Sequence, residues 1–473
     1  MTQDETPRSF CKAEATDLGS GIKTEVQSAI FKSHYCENWS VAWAPDCSYV
    51  AWSQGGGIIY LLPWERQEGK LVNKPVRNRS YDNLSEVSTE QPFISDSLPR
   101  LSPRSDIVNK EDDTDADVSD TEVIDSDEIK VESSSASDSK SVIKQGEENR
   151  QCFRIDCMDV VWCMAFGSSM SEMNHIWMRF NARRDLILAT GLRCGKIKLW
   201  NVHSGTMLLE LSDHKSIVRD LSFTSDGSFH LVSCSNDCTV KFWDLNDDGN
   251  MYKTVRFAEN TMVWSCCWSP NGEQVAAVGQ QKKVYIWNTK NFQLEPKKLV
   301  GHHHHVCKCA YSPDGALLAT ASFDTRVFIW DPYTGDSILA LGHLFPPPRP
   351  IFAGGANDHF VRDLSFSREG QFLATVADDG YLRVWDINGD CTNPKWVAET
   401  PKPLSCAYST NGHVIAVGSG TDGIIEFFQP EQIEVSPLQH LCRAIIRKNL
   451  PSQSVDFLPM PSKLKEFLKY KHL

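Results

Sequence analysis

The chain has 473 residues, with 61 Asp and Glu against 48 Lys and Arg and a net charge of −13. That balance argues against binding a phosphate backbone, which needs clustered positive charge, and no apolar run of about eighteen residues offers a membrane span. The opening Met1-Thr2-Gln3-Asp4-Glu5 lacks the basic and apolar regions of a signal peptide, so the sixteen cysteines are expected as reduced thiols in cytoplasm or nucleus.

In chain order, residues 1–20 read as a disordered tail, 21–430 as an all-β domain and 431–473 as a small helical module. Residues 21–31 contain a short strand pattern suited to closing a ring of sheets. Within it, Ile22-Lys23-Thr24-Glu25 fits the apolar-Lys-x-Glu pattern of SUMO acceptors and marks Lys23. The first strand unit begins at Trp39-Ser40-Val41-Ala42-Trp43 and ends at Ile59-Tyr60-Leu61-Leu62-Pro63-Trp64.

Residues 67–150 then interrupt the pattern. Between residues 105 and 139 thirteen Asp and Glu stand against two Lys, a local charge of −11. Such a segment buries too little apolar surface to fold, so it is expected as a disordered acidic insertion. Modification is the alternative to a merely solvating role. Lys130 lies in a second apolar-Lys-x-Glu pattern, and Thr114, Ser119 and Ser135 each have an acid three residues on.

Repeats organise the middle of the chain. Alternating apolar residues end in Trp200-Asn201, Trp243-Asp244, Trp287-Asn288, Trp330-Asp331 and Trp385-Asp386, spaced 43, 44, 43 and 55 residues apart. The phase continues weakly to Ile424-Ile425-Glu426-Phe427-Phe428. Turns recur at Ser225-Asp226-Gly227, Ser269-Pro270-Asn271-Gly272 and Ser312-Pro313-Asp314-Gly315, as hairpins require. This period resembles the WD repeat, with four strands per propeller blade, and the count gives seven blades. The resemblance implies a hydrogen-bonded set of Trp, Ser or Thr, His and Asp in each blade. His214, His302, Asp237, Asp324 and Asp379 fit it, whereas Glu259 and Asn357 stand at the histidine's place in two blades.

In that repeat the residue after the entry Val of the innermost strand lies near the mouth of the central channel. The phase selects Trp39, Trp162, Arg219, Trp264 and Arg362, with Cys307 and Leu404 in the remaining blades. Trp and Arg are enriched at interface hot spots, so these five are substrate-binding candidates. The alternative is structural: tryptophans packing between blades and arginines pairing with local acids such as Asp220 and Asp363.

Gly301-His302-His303-His304-His305-Val306-Cys307-Lys308-Cys309 has the composition of a metal site. His302 is the repeat histidine, the cysteines enter a strand, and no second ligand pair is evident, so no metal and no cofactor is expected. A catalytic dyad lacks an oxyanion hole or nucleophile turn. The 55-residue gap is explained by Gly342-His343-Leu344-Phe345-Pro346-Pro347-Pro348-Arg349-Pro350, an expected polyproline arm that either covers an edge or contacts a partner.

The last residues carry a second signature. Leu438, Leu441, Cys442, Ile445 and Ile446 recur at helical spacing on one stripe, with Ser436 as expected N-cap and Pro437 as first helical residue. Val455 and Leu458-Pro459-Met460-Pro461 follow, read as an extended segment. A second helix then places Leu464, Phe467 and Leu468 on one face. So small a unit needs partners on more than one side.

This arrangement resembles a SOCS box, and propeller and box together resemble the WD-repeat and SOCS-box-containing family. The resemblance implies the substrate receptor of a cullin–RING ubiquitin ligase, without catalysis of its own. It assigns Leu438, Leu441, Cys442, Ile445 and Ile446 to elongin binding, with elongins B and C. It assigns Val455, Leu458, Pro459, Met460 and Pro461 to a cullin of the fifth type with its RING protein. The alternative is a signalling scaffold whose terminal hairpin merely packs against a blade.

Overall fold

Runs of alternating apolar residues broken by Gly-containing turns form twenty-eight strands among the described residues, arranged as seven four-stranded antiparallel sheets. The computed structural model describes residues 22–24, 37–64, 153–168, 186–257, 260–294, 299–343, 360–389, 391, 393–421, 423, 425–430 and 437–471. All belong to one unit, residues 1–76 and 149–473, while a second unit, 77–148, lies outside the described residues. Also outside them fall the expected tail over 1–20, the insertion over 67–150 with Thr114, Ser119, Lys130 and Ser135, and the prolines at 346–350.

The inner strands of blades 1 to 7 are Val41–Trp43, Val161–Gly167, Val218–Phe223, Val263–Trp268, Val306–Tyr311, Val361–Phe366 and Pro403–Tyr408. Each of the first six blades runs from inner to outer strand in chain order. The seventh takes its outer strand from the other end of the chain. Ile22–Thr24 pairs antiparallel with Ile425–Phe428, with Ile22 opposite Phe427, Lys23 opposite Glu426 and Thr24 opposite Ile425. The ring therefore closes with seven sheets, and Lys23 sits within its closing ladder.

Neighbouring inner strands are tied laterally. The Ser40 hydroxyl accepts the Met164 N–H at 3.1 Å, Ser265 that of Cys309 at 3.2 Å, and Asp363 that of Cys406 at 2.9 Å. Trp43 Nε1 donates to the Ala407 carbonyl at 3.1 Å, joining blade 1 to blade 7. Cys163, Cys234, Cys266 and Cys406 are buried there as free thiols, and burial pushes each thiol up.

Buried relays fix the last turn of several blades. In blade 3 the Trp243 indole N–H donates to Ser233 Oγ at 2.8 Å, that hydroxyl bonds His214 Nε2 at 2.7 Å, and His214 Nδ1 bonds Asp237 Oδ2 at 2.8 Å. Burial alone would raise the Asp237 carboxyl. The His214 hydrogen bond and charge, with Thr239 and the Lys215 N–H, outweigh it and hold the carboxyl well down. Blade 5 repeats the relay with Trp330, Thr320, His302 and Asp324.

Blade 6 departs from the sequence expectation. Trp385 donates to Thr375 at 2.9 Å, and Thr375 bonds His343 Nε2 at 2.8 Å, so the repeat histidine is His343 and not the position of Asn357. The intervening residues separate the histidine from its strand, which defeats counting by a fixed period. Asp379 in this blade pairs with the fully buried Arg383. In blade 2, Trp200 donates to Thr190 at 3.1 Å, and Cys157 approaches Thr190 at 4.0 Å. Glu259 lies outside the described residues.

Removing residues 22–24 strips three pairings from the edge of blade 7. At about 1 kcal/mol net per hydrogen bond, the deletion should cost roughly 2–3 kcal/mol. Denaturant unfolding of intact and deleted chains measures it, and an unchanged midpoint would contradict the closure.

Candidate functional site

Each inner strand begins at one end of the propeller, and the hairpin that follows it lies at the other. The two ends carry different chemistry.

At the hairpin end the terminal module folds as α1 (Leu438–Asn449), α2 (Ser452–Val455) and α3 (Ser462–Leu468). Pro437, with ψ 138°, is the N-cap and not the first helical residue, and its carbonyl accepts the His440 and Leu441 N–H groups. Ser436 lies outside the described residues. The α1 helix turns its polar face inward. His440, Arg443 and Arg447 are buried, while Leu438 is 75% exposed, Ile445 67% exposed, and Cys442 and Ile446 exposed; Leu441 is intermediate.

The buried face reads the hairpins of blades 5 and 6. Arg443 stacks on Tyr470 at 3.8 Å and Phe467 at 4.5 Å, and donates to Asn388 Oδ1. His440 Nε2 donates to the Glu369 carbonyl at 2.7 Å, which leaves Nδ1 to accept from Asn388 Nδ2 at 2.9 Å. Tyr470 donates to Asp314 Oδ2 at 2.9 Å and joins the apolar cluster of Ala316, Leu317 and Ile387. Asp314 belongs to the repeat turn, where its other oxygen accepts from Ser312 Oγ at 2.6 Å. Arg447 donates to Ser452 Oγ at 2.6 Å, joining α1 to α2.

The expected extended segment is instead a run of tight turns. The Phe457, Leu458 and Met460 N–H groups donate to the carbonyls of Ser454, Val455 and Leu458. Proline fixes φ without fixing ψ, and turns accept it. Val455 is fully buried within the module. Leu458 and Met460 are intermediate, and Pro459 and Pro461 are exposed. Phe457, absent from the sequence-selected set, is 88% exposed beside them.

At the entry end a β-bulge falls on the selected residue of six blades. The ladder skips Trp162, Arg219, Trp264, Cys307, Arg362 and Leu404. A bulge leaves its extra residue unpaired and re-aims the side chain. Trp39 precedes the first inner strand, and its ring lies 4.3 Å from that of Trp162, across two blades. Arg219 lies over Trp162 at 4.4 Å. A second arc joins Trp264 to His305 and Phe323, Phe323 to Phe360, and Arg362 to Phe323 at 5.2 Å.

The arginines' partners differ from the expected acids. Arg362 donates through Nε and Nη2 to Asp378, each at 2.6 Å, and Arg219 Nε donates to Asn236 Oδ1 at 3.0 Å. Asp220 accepts instead from Ser265 at 2.6 Å and Lys308 at 3.0 Å, and Asp363 from backbone N–H groups. Asn236, Phe323 and Asp378 each directly precede the turn Asp of their blade. That offset was readable in the sequence and would have found all three. Among the described residues no group of three or more His, Cys, Asp and Glu is placed to hold a metal ion. Cys307 donates to the Val361 carbonyl at 2.8 Å.

Comparison with known proteins follows this division. The SOCS box model matches residues 434–469, and the WD domain, G-beta repeat model matches 205–244, 251–288, 295–331 and 348–386. The chain is 43% identical over 441 residues to WD repeat and SOCS box-containing protein 1 of Homo sapiens, covering 92% of this chain and 91% of that protein. It is 42% identical over 443 residues to the protein of that name in Danio rerio, covering 92% of each. The Xenopus tropicalis protein is 41% identical over 442 residues, covering 92% of this chain and 91% of its own.

The docking of α1 has a pH signature. Burial lowers the His440 pKa, and Arg443 adds to the effect against the Glu369 carbonyl bond. A histidine held neutral in the fold contributes stability that is full above the ordinary imidazole value. That stability falls as pH drops below about 6.5 towards the lowered value, by at most about 1.4 kcal/mol per pH unit. Thermal melts should therefore show wild type losing more stability from pH 7.5 to 5.5 than His440→Gln. Equal losses would remove His440 from the titration.

Proposed function

The chain belongs to the WD repeat and SOCS box-containing family, and on that premise we propose that it is the substrate receptor of a cullin–RING ubiquitin ligase. The propeller holds a target protein at its entry end. The box recruits elongin C with elongin B, a cullin of the fifth type and its RING partner. The receptor makes and breaks no bond; it positions a target lysine near a charged conjugating enzyme, so that a bimolecular encounter becomes effectively local.

One observation carries the reading: the apolar stripe of α1 faces solvent while its polar face is buried. A hairpin serving only to close the propeller would bury its apolar side, because that is where burial stabilises. Leu438 and Cys442 lie one turn apart on this outward stripe, placed to enter a single pocket as interface anchors. The recruiting module and the entry-end residues also occupy opposite ends, so a captured target leaves the box accessible.

Leu438→Ala with Cys442→Ala removes exposed side chains and should leave the melting temperature nearly unchanged. Co-purification of elongin C should fall at least tenfold, about 1.4 kcal/mol or more of binding free energy. Undiminished recovery from folded protein would overturn the assignment.

Cullin recruitment should be separable. Leu458, Pro459 and Pro461 changed together to Ala should retain elongin C, lose the cullin and stop ubiquitination of the target in a reconstituted assay. Loss of both partners together would mean that the turns after α2 support α1 and form no independent contact.

A further inference from the structure

Resting on the reading that the entry end captures the target, we propose that Arg219 receives the carboxylate of an Asp or Glu side chain in that target. Arg219 occupies the bulge of blade 3 and is half-buried. Its guanidinium lies 4.4 Å above Trp162, whose ring in turn meets that of Trp39 at 4.3 Å and a 34° tilt. The stack fixes the plane of the cation without neutralising it. Nε is held by the amide oxygen of Asn236 at 3.0 Å, a neutral acceptor. Among the described residues no carboxylate forms an ion pair with Arg219, and the two terminal nitrogens keep the fork that matches a carboxylate. Burial lowers its pKa, as expected of a cation desolvated without a counter-charge.

Blade 6 displays the completed arrangement. Arg362 occupies the same bulge position, and Asp378 stands where blade 3 has Asn236. There Nε and Nη2 bind both carboxylate oxygens at 2.6 Å. The protein thus supplies an internal carboxylate to one arginine and an amide to the other. Three cations lie on the described inner strands. Lys308 pairs with Asp220 and Arg362 with Asp378. Arg219 alone is uncompensated, a single positive charge that one carboxylate matches and a phosphate dianion would exceed. The arc of Trp264, Phe323 and Phe360 lies across the following three blades, so apolar target residues flank the acidic one.

The test uses the full chain and fluorescent nonapeptide pools whose central residue is fixed as Glu, Gln, Lys or phosphoserine, with flanking positions randomised. Wild type should retain the Glu pool at least tenfold over the Gln and Lys pools. Asn236→Asp, nearly isosteric, supplies the missing internal carboxylate and should abolish the preference while apolar flanking preferences persist. Arg219→Gln should do the same, and Arg219→Glu should shift the preference to Lys. Melting temperatures confirm that each variant is folded.

A Glu preference that survives Asn236→Asp and Arg219→Gln overturns the proposal, as does a phosphoserine pool held tenfold above the Glu pool. Peptides bound without charge preference but lost in Trp264→Ala would overturn it while leaving entry-end capture intact. No pool retained by wild type would instead sink entry-end capture, and this proposal with it.

Discussion

The structure depends on satisfying the edges of its sheets. A four-stranded sheet has two edges, each with unpaired N–H and C=O groups that are costly when buried. At the channel these groups meet the next blade: Ser40, Ser265 and Asp363 accept N–H groups from inner strands across three of the junctions. In blade 7 the outer edge is completed by Ile22–Thr24, which brings residues 22–24 and 425–427 into one ladder. A closed ring fixes where every hairpin and every bulge points, and both candidate surfaces are made of those features.

The hairpins serve twice. Asp314 closes its own turn through Ser312 and receives the hydroxyl of Tyr470 from the terminal module. Glu369 and Asn388 offer His440 and Arg443 the partners that make burying a polar helix face tolerable. A buried guanidinium without such partners would be strongly destabilising; stacked on Tyr470 and Phe467 and hydrogen-bonded, it becomes an anchor. Because polar contacts dock the helix, its apolar stripe stays in water.

At the entry end one backbone device recurs with different side chains. The bulge in blades 2 to 7 lifts a single residue out of each ladder. For the two arginines, what that residue does depends on the neighbour before the turn Asp. With Asp378 the arginine is neutralised, with Asn236 it is oriented but still charged, and Phe323 beside the Cys307 position extends the aromatic arc. Variation at two positions per blade is enough to give a ring of near-identical sheets an asymmetric face.

The repeating and local features are legible in the order of residues alone. The period near 43 set the blades, the glycine turns set the hairpins, and the spacing of Leu438, Cys442 and Ile445 set a helix with one apolar stripe. These rest on short-range periodicity, which a single chain displays directly. Tertiary structure decided what periodicity does not encode. It placed His343 in the blade 6 relay across an insertion, buried Val455 and exposed Phe457. It folded the Leu-Pro-Met-Pro stretch into turns, and it paired Arg362 with Asp378 and Arg219 with Asn236. Above all it decided which face of α1 looks outward. A helical stripe fixes that two faces differ; which one meets the protein depends on whether the surface opposite is apolar or, as at Asp314, Glu369 and Asn388, a set of hydrogen-bonding turns.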